Sequence, residues 1–160
     1  MAGAAQAFEL PGEVAGARVL VVVAPYHRAV TDLLLEGARA VLARSGVASE
    51  TVEVPGALEI PTAIAIAAES GRFDAYVALG CVLRGETIHF DLVAGESCRA
   101  LAELGIRQRL PIGNGILTVD TLAQALERAD PARQDKGGHA ARAALALLAL
   151  ARRWQGKAGR

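Results

Sequence analysis

The run RVLVVVA, Arg18–Ala24, limits what this chain can fold into more than any other stretch. After Arg18 it is apolar and largely β-branched at consecutive positions, with no polar residue at alternate sites. A strand with one wet face alternates, whereas a strand without alternation is covered on both faces. Such covering comes from helices that cross between parallel strands. DAYVALGCVL, Asp74–Leu83, repeats the pattern. SETVEV, Ser49–Val54, reads as a weaker strand stopped by Pro55-Gly56, and IGNGILTV, Ile112–Val119, as a fourth strand with glycines inside it.

Helical patterns fill the gaps. From about Val30 to Arg44 an apolar stripe carries Leu33, Leu34, Ala38, Val41 and Leu42, and Ser45-Gly46 ends it. Further helices are predicted over about Glu59–Glu69, Phe90–Gln108 and His139–Arg153. Thr121 followed by Gln124 is the capping-box start of a short helix, Leu122–Ala129. This alternation predicts an α/β fold of flavodoxin-like type: a three-layer α-β-α sandwich around a four-stranded parallel sheet. It forms one domain, residues 18–154, preceded by an N-terminal arm, 1–17, and followed by a tail, 155–160.

Composition narrows the function classes. The formal net charge of +0, without a basic or acidic tail, gives no footing for nucleic acid. Cys81 and Cys98 form no CxxC pair, and the histidines lack metal-ligand spacing, so no metal site or disulfide framework is expected. A reducing cytoplasm fits that usage. The N-terminus has neither the basic nor the apolar region of a signal peptide, and Arg142 and Arg152-Arg153 interrupt the alanine-rich C-terminal segment, so no membrane span is expected.

In parallel sheets ligands bind beyond the carboxyl ends of the strands, so four loops matter: APYHR, PGALE, CVLRGETIH and GNG. RGETIH leaves a strand and enters a helix, where unpaired N–H groups and the helix dipole make an anion site. Gly85 lets the backbone approach, Thr87 adds a hydroxyl, and a phosphate fits. A capped turn without function has the same sequence. It is not a Walker loop, which has a second glycine and a Lys-Ser/Thr pair. His89, beside the proposed anion, can take and give a proton near neutral pH.

The prolines flanking Gly-Ala-Leu-Glu stiffen a loop whose peptide groups at Ala57 and Leu58, with the Glu59 carboxylate, suit a polar ring or polyol. Glu59 also suits a helix start on dipole grounds. Tyr26, at a strand tip in a chain with only 4% aromatics, is a stacking surface or a rim residue. Arg128 ends the short helix. Lys136 lies in what reads as a mobile, glycine-ended loop, DPARQDKGG, able to close over an anion. Cys81 reads as a small buried residue, since no base or electropositive setting marks it as a nucleophile.

Taken together, VPGALEIP, ALGCVLRGETIHFDLVAGES, PIGNGILTVDTLAQALERAD and KGGHAARAAL resemble the lumazine synthase family of riboflavin biosynthesis, in order and nearly in spacing, over about residues 17–153. The resemblance implies condensation of 5-amino-6-(ribitylamino)uracil with 3,4-dihydroxy-2-butanone 4-phosphate to 6,7-dimethyl-8-ribityllumazine, phosphate and water, without metal or organic cofactor. It implies that Tyr26 lies against the pyrimidine, Ala57, Leu58 and Glu59 hold the ribityl chain and ring edge, and Cys81, Val82 and Leu83 meet the ring through backbone. Glu86 and Thr87 then present donors to the phosphate, with the Glu86 carboxylate turned to solvent, and His89 shuttles protons. Asn114 and Arg128 reach the site from a neighbouring subunit, and Lys136 assists.

The resemblance further implies pentamers with sites between subunits, small-molecule substrates, and riboflavin synthase as a protein partner. Pro131 and the missing glycines of the loop before Lys136 set it apart from relatives that close into icosahedral shells, so a pentamer or dimer of pentamers is expected. The arm is expected to cover a neighbour's sheet edge. The competing expectation is a non-catalytic relative that binds a flavin or lumazine.

Overall fold

A computed structural model describes residue 10 and residues 12–155. Residues 1–9 and 11 of the expected arm, and 156–160 of the tail, lie outside the described residues. Four strands, β1 (Arg18–Val23), β2 (Ala48–Glu53), β3 (Ala75–Leu83) and β4 (Ile112–Val119), form one parallel sheet in the order β2-β1-β3-β4. The helices are α1 (Arg28–Arg44), α2 (Glu59–Glu69), α3 (His89–Gln108), α4 (Leu122–Ala129) and α5 (Lys136–Gln155). This is the expected three-layer α/β architecture.

Side-chain alternation divides the core in two. Val19, Val21 and Val23 of β1, with Val77 and Leu79 of β3, pack under α1, α4 and α5. Leu20 and Val22, with Tyr76 and Ala78, pack under α2 and α3 beside Ile60, Ile64 and Leu101. Each fully buried Leu, Ile or Val adds about 1.5–3 kcal/mol of transfer free energy. β2 departs furthest from two-sided burial, and β4, at the other edge, exposes Asn114 and Thr118. In β2 the polar residues ASETVE are almost all exposed, and pairing with β1 is what makes it a strand.

Right-handed crossovers account for the layering. The chain moves from β1 to β2 in one direction, with α1 on one face. It then returns past β1 to β3 and on to β4, with α2 and α3 on the other face. Strand order therefore reverses between β1 and β3, and a crevice opens at their carboxyl ends.

Two local features differ from the sequence reading. The last helix begins at Lys136, not at His139, and Gly137 and Gly138 are buried in its first turn. Lys136 is thus the first residue of α5 and not part of a mobile loop. Gly137 is there because α5 crosses α1 closely: a Cβ on it would overlap the Leu34 carbonyl and stand 2.7 Å from its carbon, while a Cβ on Gly138 would overlap the Asp135 carboxylate. The preceding segment is also pinned. Asp135 N–H donates to Asp130 O (3.0 Å), Arg133 pairs with Glu127, and Asp135, at φ 46°, accepts from Gly138 N–H (3.1 Å). The glycines of β4 serve the same packing, since a Cβ on Gly113 would overlap the Ala140 carbonyl of α5. The capping box at Thr121 and Gln124 is present as read.

Candidate active site

A cleft of about 480 Å³ opens at the carboxyl ends of β1 and β3, where the strand order reverses. Its size suits a small organic molecule. Four chain segments supply its walls. Tyr26 and His27 come from the end of β1, Ala57, Leu58 and Glu59 from the β2–α2 loop, Cys81, Val82 and Leu83 from the end of β3, and Thr87 and His89 from the turn into α3.

Tyr26 is 80% exposed, so one face of its ring is free. His27 meets it edge-on at 5.0 Å between centroids. The His27 carbonyl accepts from Val30 N–H (2.9 Å) and Thr31 N–H (3.0 Å), which fixes the backbone of this corner as α1 begins.

The end of β3 offers an open strand edge. Pairing of β1 with β3 stops at Val23 opposite Leu79, where Ala24 N–H donates to Leu79 O (2.9 Å). Peptide groups alternate sides along a strand, so the next groups facing β1 belong to Cys81 and Leu83. No β1 residue pairs opposite them. They are donors and acceptors without a strand partner, aimed into the cleft. The Cys81 thiol is buried, and desolvation pushes its pKa up to about 11. It is neutral at pH 7 and unsuited to be a nucleophile.

The turn Gly85–Ile88 leads into the long helix α3. Among the described residues, the N–H groups of Gly85, Glu86 and Thr87 have no hydrogen-bond partner. His89 N–H donates to the Thr87 hydroxyl (3.3 Å), leaving that hydroxyl's own proton free to donate outward. Unpaired N–H groups at the positive end of a helix dipole form an anion site. Glu86 is exposed and its side chain is not part of the cleft wall.

The other sequence-predicted residues lie elsewhere in the chain. Asn114, on β4, accepts from Ile116 N–H (2.9 Å) and borders a second groove between α3 and α5. Arg128 is in the last turn of α4 and donates to Gln124 O (3.4 Å), and Lys136 opens α5. None of these three lines the cleft. Residues not singled out as site residues do line it, among them His27, Gly56, Phe90 and Val93. For two of them the sequence signal was adjacency: His27 follows Tyr26, and Phe90 follows His89. Among the described residues no group of His, Cys, Asp or Glu side chains could hold a metal, and no helix is long and apolar enough to cross a membrane.

The fold and the cleft define a doubly wound α/β protein with a cleft at the switch point of its sheet, where such folds bind ligands. Fold alone does not name a chemistry. Residues 16–152 match the family model of 6,7-dimethyl-8-ribityllumazine synthase. The chain is 57% identical over 150 residues to the 6,7-dimethyl-8-ribityllumazine synthase of Methylocella silvestris, covering 91% of this chain and 92% of that one. It is 59% identical to the synthases of Methylobacterium radiotolerans, over 86% of this chain and 84% of that one, and Sphingopyxis alaskensis, over 84% and 94%. The chain belongs to the 6,7-dimethyl-8-ribityllumazine synthase family and is an enzyme of that class, as its motifs led one to expect.

Proposed function

We propose that the cleft condenses 5-amino-6-(ribitylamino)uracil with 3,4-dihydroxy-2-butanone 4-phosphate, releasing 6,7-dimethyl-8-ribityllumazine, phosphate and water. One observation carries the reading: an exposed aromatic ring, an open strand edge and a turn of unpaired N–H groups converge on a single cleft. The Tyr26 ring lies against the pyrimidine. The Cys81 and Leu83 peptide groups pair with the ring's amide edge, and Val82 packs between them. Ala57, Leu58 and Glu59 take the ribityl hydroxyls. The N–H groups of Glu86 and Thr87, with the Thr87 hydroxyl, cradle the phosphate.

The 5-amino nitrogen attacks the ketone carbon and an imine forms with loss of water. Phosphate then leaves, the resulting enol becomes a ketone, and the ribityl-bearing nitrogen attacks that carbonyl and closes the second ring with loss of a second water. Each step moves protons, the task of His89. The leaving phosphate develops charge against donors already in place. Holding two reactants in register supplies effective molarities on the order of 10⁵ M or more, so no covalent nucleophile is required. The neutral Cys81 thiol agrees with that chemistry.

Asn114, Arg128 and Lys136 act on the site of a neighbouring subunit. Their absence from their own chain's cleft wall supports this. So does the groove of about 720 Å³ that Asn114 borders, where Ile106 (79% exposed) and Trp154 (64% exposed) present apolar surface. A second copy covers it, in a pentamer or a dimer of pentamers. The two free thiols suit a cytoplasmic enzyme, and riboflavin synthase is the protein partner.

The test mixes purified protein with both substrates and follows lumazine absorbance, with His89→Ala and Arg128→Ala alongside. Product forms faster than in buffer, and much more slowly with Arg128→Ala. A rate equal to the buffer blank from folded protein refutes the reading and leaves a binding protein. Light scattering reports the assembly, and a megadalton particle refutes the pentamer or decamer.

A further inference from the structure

Arg84 sits at the head of the anion turn, yet it is absent from the cleft wall. Its main chain still belongs to the sheet, with Arg84 N–H donating to Val119 O (2.9 Å). Its side chain turns the other way. Nε donates to Asp120 Oδ1 (2.7 Å), Nη1 lies 3.8 Å from Asp91 Oδ1, and the guanidinium carbon stands 4.4 Å from the centre of the Phe90 ring. Asp120 is held in turn, since its N–H donates to Gln124 Oε1 (2.9 Å) in the start of α4.

Arg84 precedes Gly85–Ile88, while Phe90 and Asp91 follow it. One guanidinium therefore bridges both ends of the turn and ties them to the β4–α4 junction. The turn has little else to hold it: Gly85 through Ile88 are exposed, and nothing lies within 4 Å of a Cβ built on Gly85. Thr87 to His89 N–H is the other side-chain tie across it among the described residues. A planar fork can bond a carboxylate and stack on a ring at once, and an ammonium cannot do both.

The geometry points to Arg84 as a positioning residue. Anchored on Asp120 and stacked on Phe90, it holds Gly85–Ile88 in the shape that presents N–H groups to a phosphate, and it does not touch the phosphate itself. The inference rests on the phosphate reading of the turn. Both ion-pair partners are more than half exposed, 51% and 63%, so the pair adds little global stability and its loss appears in binding.

The experiment compares the wild type with Arg84→Gln, Arg84→Lys, Asp120→Asn and the Arg84→Gln/Asp120→Asn double variant. It measures KM for each substrate, competition by inorganic phosphate, and the melting temperature. In Arg84→Gln and Asp120→Asn, KM for the phosphorylated ketone and the inhibition constant for phosphate rise about tenfold, as misplacement of a positioned donor set requires. KM for the pyrimidine stays within about twofold and melting within about 2 °C. The double variant is no worse than Arg84→Gln, and Arg84→Lys falls between it and the wild type. Unchanged phosphate inhibition in Arg84→Gln overturns the inference while leaving the turn reading intact. So does an equal rise in both KM values. A loss in Arg84→Gln that Asp120→Asn does not share makes Arg84 a direct contact instead. A wild type that phosphate does not inhibit sinks the turn reading and the inference with it. If Arg84→Gln fails to fold, Asp120→Asn and Arg84→Lys carry the same comparison.

Discussion

Gly137→Ala separates a packed helix start from a loop. In a mobile loop the change is neutral or stabilising, because alanine restricts the unfolded chain. In α5 the new Cβ would overlap the Leu34 carbonyl, with the Leu34 carbon at 2.7 Å and Cα at 2.8 Å. All three atoms are main chain inside α1, so no side chain can swing away and the helices must part. Overpacking of this kind costs about 1–3 kcal/mol, and main-chain overlap puts it near the top of that range. Alanine's better helix propensity returns at most about 1 kcal/mol. The net loss is about 2 kcal/mol, or a melting temperature lower by roughly 4–8 °C for a domain of this size. Gly95→Ala is the control. Gly95 lies in α3, with nothing within 4 Å of its added Cβ, and alanine there stabilises by about 0.5–1 kcal/mol. Thermal denaturation at one protomer concentration, with urea denaturation beside it, reads both. If Gly137→Ala melts at or above the wild type, the close crossing of α1 and α5 is wrong.

Two further predictions follow from titration. Burial, then the neighbouring Lys136 charge, lowers the pKa of His139 below its ordinary 6.5, against the opposing pull of Asp135. The folded state thus disfavours the imidazolium, and stability present above pH 6.5 is lost as pH falls through the lowered value; a melting curve series from pH 8 to 5 shows the fall, and His139→Asn flattens it. Cys81, with its thiol pushed up to about 11, resists iodoacetamide at pH 7.5 in the folded protein, and Cys81→Ser keeps kcat within about threefold if, as proposed, the residue meets the ring through its backbone. Rapid labelling at Cys81, read by mass spectrometry, or a collapse of kcat in the serine variant, contradicts this.

Most of the cleft was legible in the chain because its parts are local. Pro55-Gly56 must stop β2, a strand-to-helix junction must leave N–H groups unpaired, and Tyr26 must follow β1. Those are consequences of neighbouring residues. At Lys136 the same local logic fails: Gly137-Gly138 is a breaker by propensity, and the reason for Gly137 lies on α1, a hundred residues away in sequence. Arg84 belongs by sequence to the turn it begins, whereas its bond to Asp120 draws its side chain to the β4–α4 junction, outside the cleft wall. Adjacency to Tyr26 marks His27 as near the cleft, but only the fold says that it lines the wall.

The sequence by itself determined the strands, the helices, the parallel sheet and the family. These rest on hydrophobic period, turn residues and motifs, all of which are short-range along the chain. Only the tertiary structure decided that the open edge of β3 faces the cleft, that α5 begins at Lys136, and that Arg84 braces the turn from behind. Each of those depends on what a distant segment places opposite a residue. Close approach, strand ends and ion-pair partners are properties of two segments at once, and neither segment's sequence contains the other's position.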